Sequence, residues 1–419
     1  MTYKQAKHKI RNFFRLLGPG LVTGAADDDP SGIATYSQAG AQYGFGLLWT
    51  SLFMLPLQVS IQEACARIGA VTGKGIALVI KEHYGKRILY FVVSLLLIAN
   101  TINIGADIGA MAAATQLLIP IDFVILCFTF SLLMITLTIY LSYKTYAKVL
   151  KWLCLSLLAY PLTVIIVNED WLLILKATFI PHFEWSFDFL FMLVAVLGTT
   201  ISPYLFFWQA SQEVEEKQGK PITQTYIRKL RIDNFTGMFS SEFATWAIIV
   251  VGATVLHSHG ITNINTAADA AKAIEPLVQN FPHAGTLAKI IFATGIIGLG
   301  LISVPVLAAS AAYALCETFN HAEGLSLKLK EGRFFYGIIV TSTFVGLALN
   351  FIGIDPIKAL IYSAVINGII AVPLIFVIGL IAKNKLIMGN YASGKLSHYL
   401  VAITFICMLL ASLAMLTTL

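Results

Sequence analysis

Long apolar runs alternate along this chain with short polar connections that carry most of its charge. Eleven runs can be drawn, at residues 18–40, 45–69, 88–118, 121–142, 146–167, 187–217, 234–256, 285–316, 334–352, 357–382 and 397–418. About 18 or more apolar residues suffice to cross the hydrocarbon core of a bilayer as a helix. The pattern therefore predicts an all-α polytopic membrane protein, surrounded by lipid and without a soluble domain. The longest polar connections are 168–186, 217–233 and 257–284.

Two of the runs are interrupted. "GAADDDPSGIATYSQAG" (24–40) holds Pro30 and Gly32, and "GTTISPYLFFWQASQ" (198–212) holds Gly198 and Pro203. Proline removes a backbone donor and clashes with the preceding turn, so both helices should break near mid-membrane. The carbonyls and helix ends freed there must find other partners. The breaks fall in the first and sixth runs, five helices apart. An odd number of spans per unit inverts the second unit, and paired broken helices in inverted repeats mark the binding site of many secondary transporters. The predicted organisation is a basic stretch at 1–17, one repeat over 18–167, a second over 187–382 and an eleventh helix at 397–418. Proline also occurs in membrane helices as a plain kink, and the two breaks in matching positions weigh against that reading.

Charge orients the runs. Hydrophobic residues make up 58% of the chain and charged ones 12%. With the N-terminus inside, 24 of the 28 Lys and Arg residues fall in inside segments, leaving Lys176, Lys272, Lys289 and Lys358 outside. This asymmetry predicts a cytoplasmic N-terminus and an extracytoplasmic C-terminus in a plasma (inner) membrane. The net charge of +6 is thus a matter of orientation and implies no nucleic-acid partner. No cleavable signal peptide is evident. Cys65, Cys127, Cys154, Cys316 and Cys407 are scattered through apolar runs without CxxC spacing, and read as small buried hydrophobes.

The chemistry concentrates at the breaks. An unpaired aspartate at membrane depth costs ~3 kcal/mol or more, and Asp27, Asp28 and Asp29 stand side by side. A bound cation, trapped water or protonation would relieve them. Asp29 directly precedes the break and is the first candidate for a cation ligand. On a helix, Asp27 and Asp28 would point about 100° and 200° away from it, towards an outer shell or a proton path. The sixth run offers the hydroxyls and carbonyls of Thr199, Thr200 and Ser202. Hard oxygen donors favour Mg²⁺, Mn²⁺ or Ca²⁺ over Cu(I) or Zn²⁺, and Mg²⁺ keeps several of its waters.

Further polar residues at membrane depth are Asn100, Asn103, Asp107, Gln209, Gln212, Glu242 and Asn367. Asn100, Asn103 and Asp107 share one helical face, as a water or proton path or as a hydrogen-bonded seam. Glu63 and Arg67 read as an ion pair, Glu213, Glu215 and Glu216 as a solvated face, and His257 and His259 as a weak metal candidate. No Walker motif, nucleotide loop or nucleophile–histidine constellation is present. The chain is therefore expected to be no enzyme, to need no cofactor or obligate protein partner, and to draw energy from ion gradients.

"GPGLVTGAADDDPSGIATYSQAGAQYGFGLLWT" (18–50) resembles the first-helix region of the NRAMP family of divalent metal transporters. "VTGKGIALVI" (71–80) is similar to the family's sequence after its second helix, and "GTTISP" (198–203) sits where its sixth helix breaks. The resemblance implies a LeuT-type fold of two inverted five-helix repeats and uptake of divalent metal by alternating access. It carries the ligand role to Asp29. It also marks departures. The family's asparagine ligand matches Gly32, its methionine Ser202, its proton-linked histidine Tyr204, its carbonyl-donating alanine Thr199, and its third-helix acid Asn103, with Asp107 one turn on. These changes resemble the magnesium-carrying relatives of the family. The leading expectation is transport of Mn²⁺ or Mg²⁺, with Fe²⁺ a further candidate. Asp29 is its direct ligand, the carbonyls around Ala26 and Thr199 and the Ser202 hydroxyl complete the shell, and Asp27, Asp28, Gly32, Thr200, Tyr204, Asn103, Asp107, Gln209 and Asn367 lie around it. An ion-coupled carrier of an amino acid or organic cation on the same fold is the alternative, and three aspartates would repel an anionic substrate.

Overall fold

The computed structural model describes residues 19–140, 157–167, 170–217, 219 and 221–418. The basic N-terminal stretch, the Lys144–Lys151 connection, Cys154 and the first part of the fifth run lie outside them. Among the described residues the regular structure is helical throughout. The first run is α1 (Pro19–Asp27) and α2 (Pro30–Tyr43), followed by α3 (Trp49–Thr72), α4 (Ile76–His83), α5 (Lys86–Gln116), α6 (Phe123–Tyr140) and α7 (Ala159–Ile166). A peripheral α8 (Trp171–Phe179) leads to the sixth run, which is α9 (Phe187–Thr200) and α10 (Pro203–Lys217). Then come α11 (Gln224–Val251), the short α12 (Ala267–Lys272) and α13 (Glu275–Val278), α14 (Ala284–Phe319), α15 (Arg333–Leu349), α16 (Pro356–Lys383), a one-turn α17 (Lys385–Met388) and α18 (Lys395–Thr417).

Each predicted run thus has a helical counterpart. Among the described residues seven helical stretches, the sixth run counted across its break, are long and apolar enough to cross a membrane. The first run is cut by its break, α3 carries too many polar residues, the fifth run is described only in part, and α15 has 17 residues. The predicted seventh run started at 234, whereas α11 starts ten residues earlier, because Thr223 caps it through a bond from Tyr226 N. The connections 168–186 and 257–284 carry short helices rather than plain loop.

Local chemistry decides which prolines break helices. Pro56, Pro305 and Pro373 lie inside continuous helices. Pro30 and Pro203 instead begin α2 and α10. At the first helical position proline's missing N–H would have no partner anyway. At the first break the preceding Asp29 supplies the cap, accepting a 2.8 Å bond from Gly32 N.

Glycines bring the helices to backbone contact around the site. A Cβ on Gly24 would lie 2.3 Å from the Gly237 carbonyl oxygen, where α1 crosses α11. One on Gly198 would lie 2.0 Å from the Ala364 carbonyl, where α9 crosses α16. The outer surface is apolar, with Phe91, Ile125, Leu132 and Leu413 among its exposed side chains, as a lipid-facing surface requires.

Candidate metal site at the crossed helix breaks

The two interruptions meet in the protein's interior. Asp27 ends α1, Asp28 sits in the bend and Asp29 caps α2. Their exposures are 0%, 3% and 2%, so the run is closed to solvent on both sides. Because the run turns through the break, the helical offsets of 100° and 200° do not apply, and the three carboxyls part company at the bend.

Tyr204, one residue into α10, ties the breaks together. Its hydroxyl donates to the Ala26 carbonyl at 2.7 Å and approaches Asp29 Oδ2 at 3.4 Å. Gln58 on α3 bridges from the other side, its Nε2 donating to Asp27 Oδ2 at 2.5 Å and to the Thr200 carbonyl at 2.9 Å. The Tyr36 hydroxyl and Thr200 Oγ1 are 3.0 Å apart. Gly32 lets the breaks pack closely, since a Cβ there would meet the Tyr36 ring at 3.2 Å and Thr199 Oγ1 at 3.5 Å. That hydroxyl is buried without a hydrogen-bond partner.

The structure therefore gathers Asp29, Ala26, Thr199, Thr200, Tyr204 and Gly32 in one place. The Ser202 hydroxyl is nearby but engaged. It donates to the Thr199 carbonyl at 2.7 Å and the Gly198 carbonyl at 3.0 Å, satisfying carbonyls left free at the end of α9. The Ser202–Thr199 bond fixes both oxygens and leaves each a lone pair for a cation. Among the described residues no three His, Cys, Asp or Glu side chains converge in metal-holding geometry. The breaks thus offer one carboxylate with backbone and hydroxyl oxygens, a hard and sparse donor set suited to an ion that keeps part of its water.

Asp27 and Asp28 turn instead towards α11. Ser241 Oγ lies 2.6 Å from Asp27 Oδ2 and 3.1 Å from Asp28 Oδ1. Beside it, Glu242 is buried with neither carboxyl oxygen bonded. Gln58 and Ser241 were not foreseen from sequence. Their spacing carries no motif, and the fold alone sets them against the aspartates.

The remaining candidates divide. Asn100 Nδ2 donates to the Leu307 carbonyl at 2.9 Å, and Ser303 Oγ donates to Asp107 Oδ2 at 2.6 Å. The shared polar face of α5 is thus a seam against α14 at those two positions, while the Asn103 amide is buried without partners. Asn367 is buried with its carbonyl oxygen unpaired. Gln209 accepts from Thr23 of α1 and donates to Glu213 at 3.2 Å, closing the α1 end of the site. His257 and His259 bind the carbonyls of Ala41 and Val255 through their ring nitrogens.

Two expectations are corrected. Of Glu213, Glu215 and Glu216 only Glu216 is exposed as a solvated face would be, for Glu213 is buried and takes the Tyr226 hydroxyl at 3.1 Å. Glu215 accepts from Tyr313 and from Leu325 N, strapping the connection after α14 onto α10. In the same connection, burial and the neighbouring Glu317 and Glu215 charges push the Glu323 carboxyl up to about 9. Cys65, Cys127 and Cys316 are buried as expected, but Cys407 is exposed on α18, where the surroundings are lipid rather than core. The Glu63–Arg67 pair stands and is larger than foreseen, since Arg231 joins it at 2.9 Å.

The family model "Natural resistance-associated macrophage protein-like" (Nramp) matches residues 20–418. A protein of Caldanaerobacter subterraneus described as divalent metal cation transporter MntH is 24% identical, over 93% of this chain and 90% of its own length. Its namesake in Klebsiella pneumoniae is 27% identical, over 93% and 90%. Among solved structures, the Eremococcus coleocola manganese transporter superposes with a TM-score of 0.75 at 16% identity, covering 97% of this chain and 86% of that one. The nucleobase-cation-symport-1 family transporter MHP1 superposes with a TM-score of 0.54 at 14% identity.

Proposed function

This chain belongs to the Nramp family, and from that premise we propose that it carries divalent metal cations across a membrane by alternating access, with Mn²⁺ and Mg²⁺ as its cargo. One observation carries the reading. A buried carboxylate, Asp29, caps a broken helix within reach of a second break lined by hydroxyls and carbonyls. The residues assigned to the shell offer no soft donor, and Ser202 and Tyr204 stand where the resemblance to the family puts a methionine and a histidine. Hard and sparse oxygen ligands favour a partly hydrated hard ion. The names of the relatives point to a metal rather than to an organic cation.

Asp29 is the direct ligand in this reading, with the Ala26 and Thr199 carbonyls and Ser202 Oγ completing the shell. The Tyr204–Ala26 and Ser202–Thr199 bonds hold these oxygens in place for the ion. The positive-inside asymmetry supports a cytoplasmic N-terminus, which puts α1 on the cytoplasmic side of the site. Release to the cytoplasm then requires α1 to leave α11 and the Thr23–Gln209 closure to part.

Asp29→Asn tests the assignment cleanly, because asparagine still caps a helix. In proteoliposomes the variant should keep its melting temperature and lose Mn²⁺ and Mg²⁺ flux by about 100-fold or more, since loss of a mere outer-shell partner costs about 10–100-fold. Undiminished flux would remove Asp29 from the site.

A further inference from the structure

A cavity of about 210 Å³ lies on the side of the metal site away from α1. Its walls come from α2, α9, α16 and the connection 257–284, and Gln38, Gln42, Asp188, Asn263, Asn265 and Lys358 give it a polar lining. Asp188, Asn263, Asn265 and Lys358 are exposed, so the cavity opens to solvent at their level. That is the extracytoplasmic face in the orientation proposed above.

The inner end of the cavity is closed. Gln38 is buried, nine residues after Asp29 on α2 and about 14 Å from it along the axis. Its amide accepts from Ile264 N at 2.8 Å and donates to the Thr262 carbonyl at 3.0 Å, lacing the connection onto α2. Deeper still, Ser31 Oγ donates to the Leu360 carbonyl at 2.9 Å and pins α2 to α16. An ion arriving from this face stops in the cavity until α2 and its neighbours part.

Size and chemistry select the occupant. A divalent ion with six waters of about 30 Å³ each needs about 180 Å³, which the cavity provides. One carboxylate and several amide oxygens line it, groups that accept hydrogen bonds from an ion's waters without replacing them. Mg²⁺ in particular gives up its waters reluctantly. Asp188 is the one negative charge of the lining and Lys358 the one positive charge, and among the described residues neither is in an ion pair. The lysine opposes tight holding, and a site on a transport path must bind well enough to fill and weakly enough to empty.

We propose that this cavity is a waiting site for the metal ion with its whole first shell of water, filled through the charge of Asp188 and kept weak by Lys358. The inference rests on the metal-transport reading for the identity of the cargo and adds a second site, remote from Asp29, at which that cargo is still fully hydrated.

Flux and binding test the site separately. In proteoliposomes Asp188→Asn should raise the KM for Mg²⁺ and Mn²⁺ about fivefold and Lys358→Gln should lower it about threefold, the order expected of a unit charge acting on a divalent ion across one water in a wet, screened cavity. In both variants kcat and the melting temperature should hold. Both shifts should vanish in 1 M salt, where the Debye length is about 3 Å. An unchanged KM in either variant, or a shift that survives high salt, overturns the proposal. Binding is read on purified Asp29→Asn protein titrated with Mn²⁺ alone. Electron-nuclear double resonance should show a weakly held ion with six water ligands and none from the protein, and adding Asp188→Asn should abolish it. Absence of that ion, protein oxygens in its first shell, or binding indifferent to Asp188 also overturns the proposal. A wild-type protein that binds Mn²⁺ in this way yet carries no metal across the membrane would instead refute the transport reading and leave the hydrated-ion site standing.

Discussion

Gly24→Ala should bias the protein towards the state in which α1 has left α11. In the packed state the new Cβ would lie 2.3 Å from Gly237 O, 2.4 Å from its carbonyl carbon and 2.7 Å from its Cα. All three are backbone atoms of a neighbouring helix and cannot rotate away. Restoring ordinary contact requires the two axes to part by about 1 Å, and overpacking of this kind costs about 1–3 kcal/mol. The penalty falls only on the packed state, because a displaced α1 has no Gly237 against it. A differential of that size shifts a two-state ratio by roughly 5- to 150-fold.

Thr23 offers a readout, being buried at the α1–α10 closure and bonded to Gln209. In a background lacking native cysteines, Thr23→Cys should react slowly with a membrane-impermeant thiol reagent and much faster once Gly24→Ala is added. Gly237→Ala should act alike from the other side of the crossing. Gly394→Ala, with no atom within 4 Å of its Cβ, should do nothing. Unchanged labelling in a folded Gly24→Ala protein would mean that α1 does not move away from α11, and the gating account would fall.

Three further outcomes follow from the same structure. Ser202→Met, which removes the hydroxyl bonded to the Thr199 carbonyl and introduces a soft sulfur, should raise Cd²⁺ or Fe²⁺ flux relative to Mg²⁺ by about tenfold, and an unshifted ratio removes position 202 from the selectivity argument. Glu63→Gln should destabilise the protein by about 3–5 kcal/mol, because Arg67 is 1% exposed and would keep its charge without its main partner; thermal melting that matches wild type would show the pair to be dispensable. Glu323 supplies a pH dependence, since its folded-state value of about 9 lies above the ordinary 4.5. The folded protein then binds the extra proton between these values, so stability falls as pH rises across that window, and a Glu323→Gln variant should show a shallower fall in melting temperature from neutral to alkaline pH.

What could be read from the sequence was whatever local chemistry decides. Pro30 and Pro203 each stand in the middle of an apolar run, so the breaks were visible as positions where one helix must stop and another start. Apolar length fixed the spans, and the fold followed from two breaks five helices apart. The partners of the polar groups were not visible, because they come from helices remote in the chain. Gln58, Ser241 and Glu242 have no sequence relation to Asp27 or Asp28, and only the glycine-lined crossing of α1 over α11 brings them together. Glu213 and Glu215 looked solvated because they sit at the polar end of an apolar run, yet Tyr226, Tyr313 and Leu325 close over them. The same reasoning divides the aspartate run. Asp29 was legible as the residue that precedes the break, and in the structure it caps α2, which holds its carboxylate there. Asp27 and Asp28 have tertiary roles, since their partners Gln58 and Ser241 come from α3 and α11 and hold only while α1 lies against those helices.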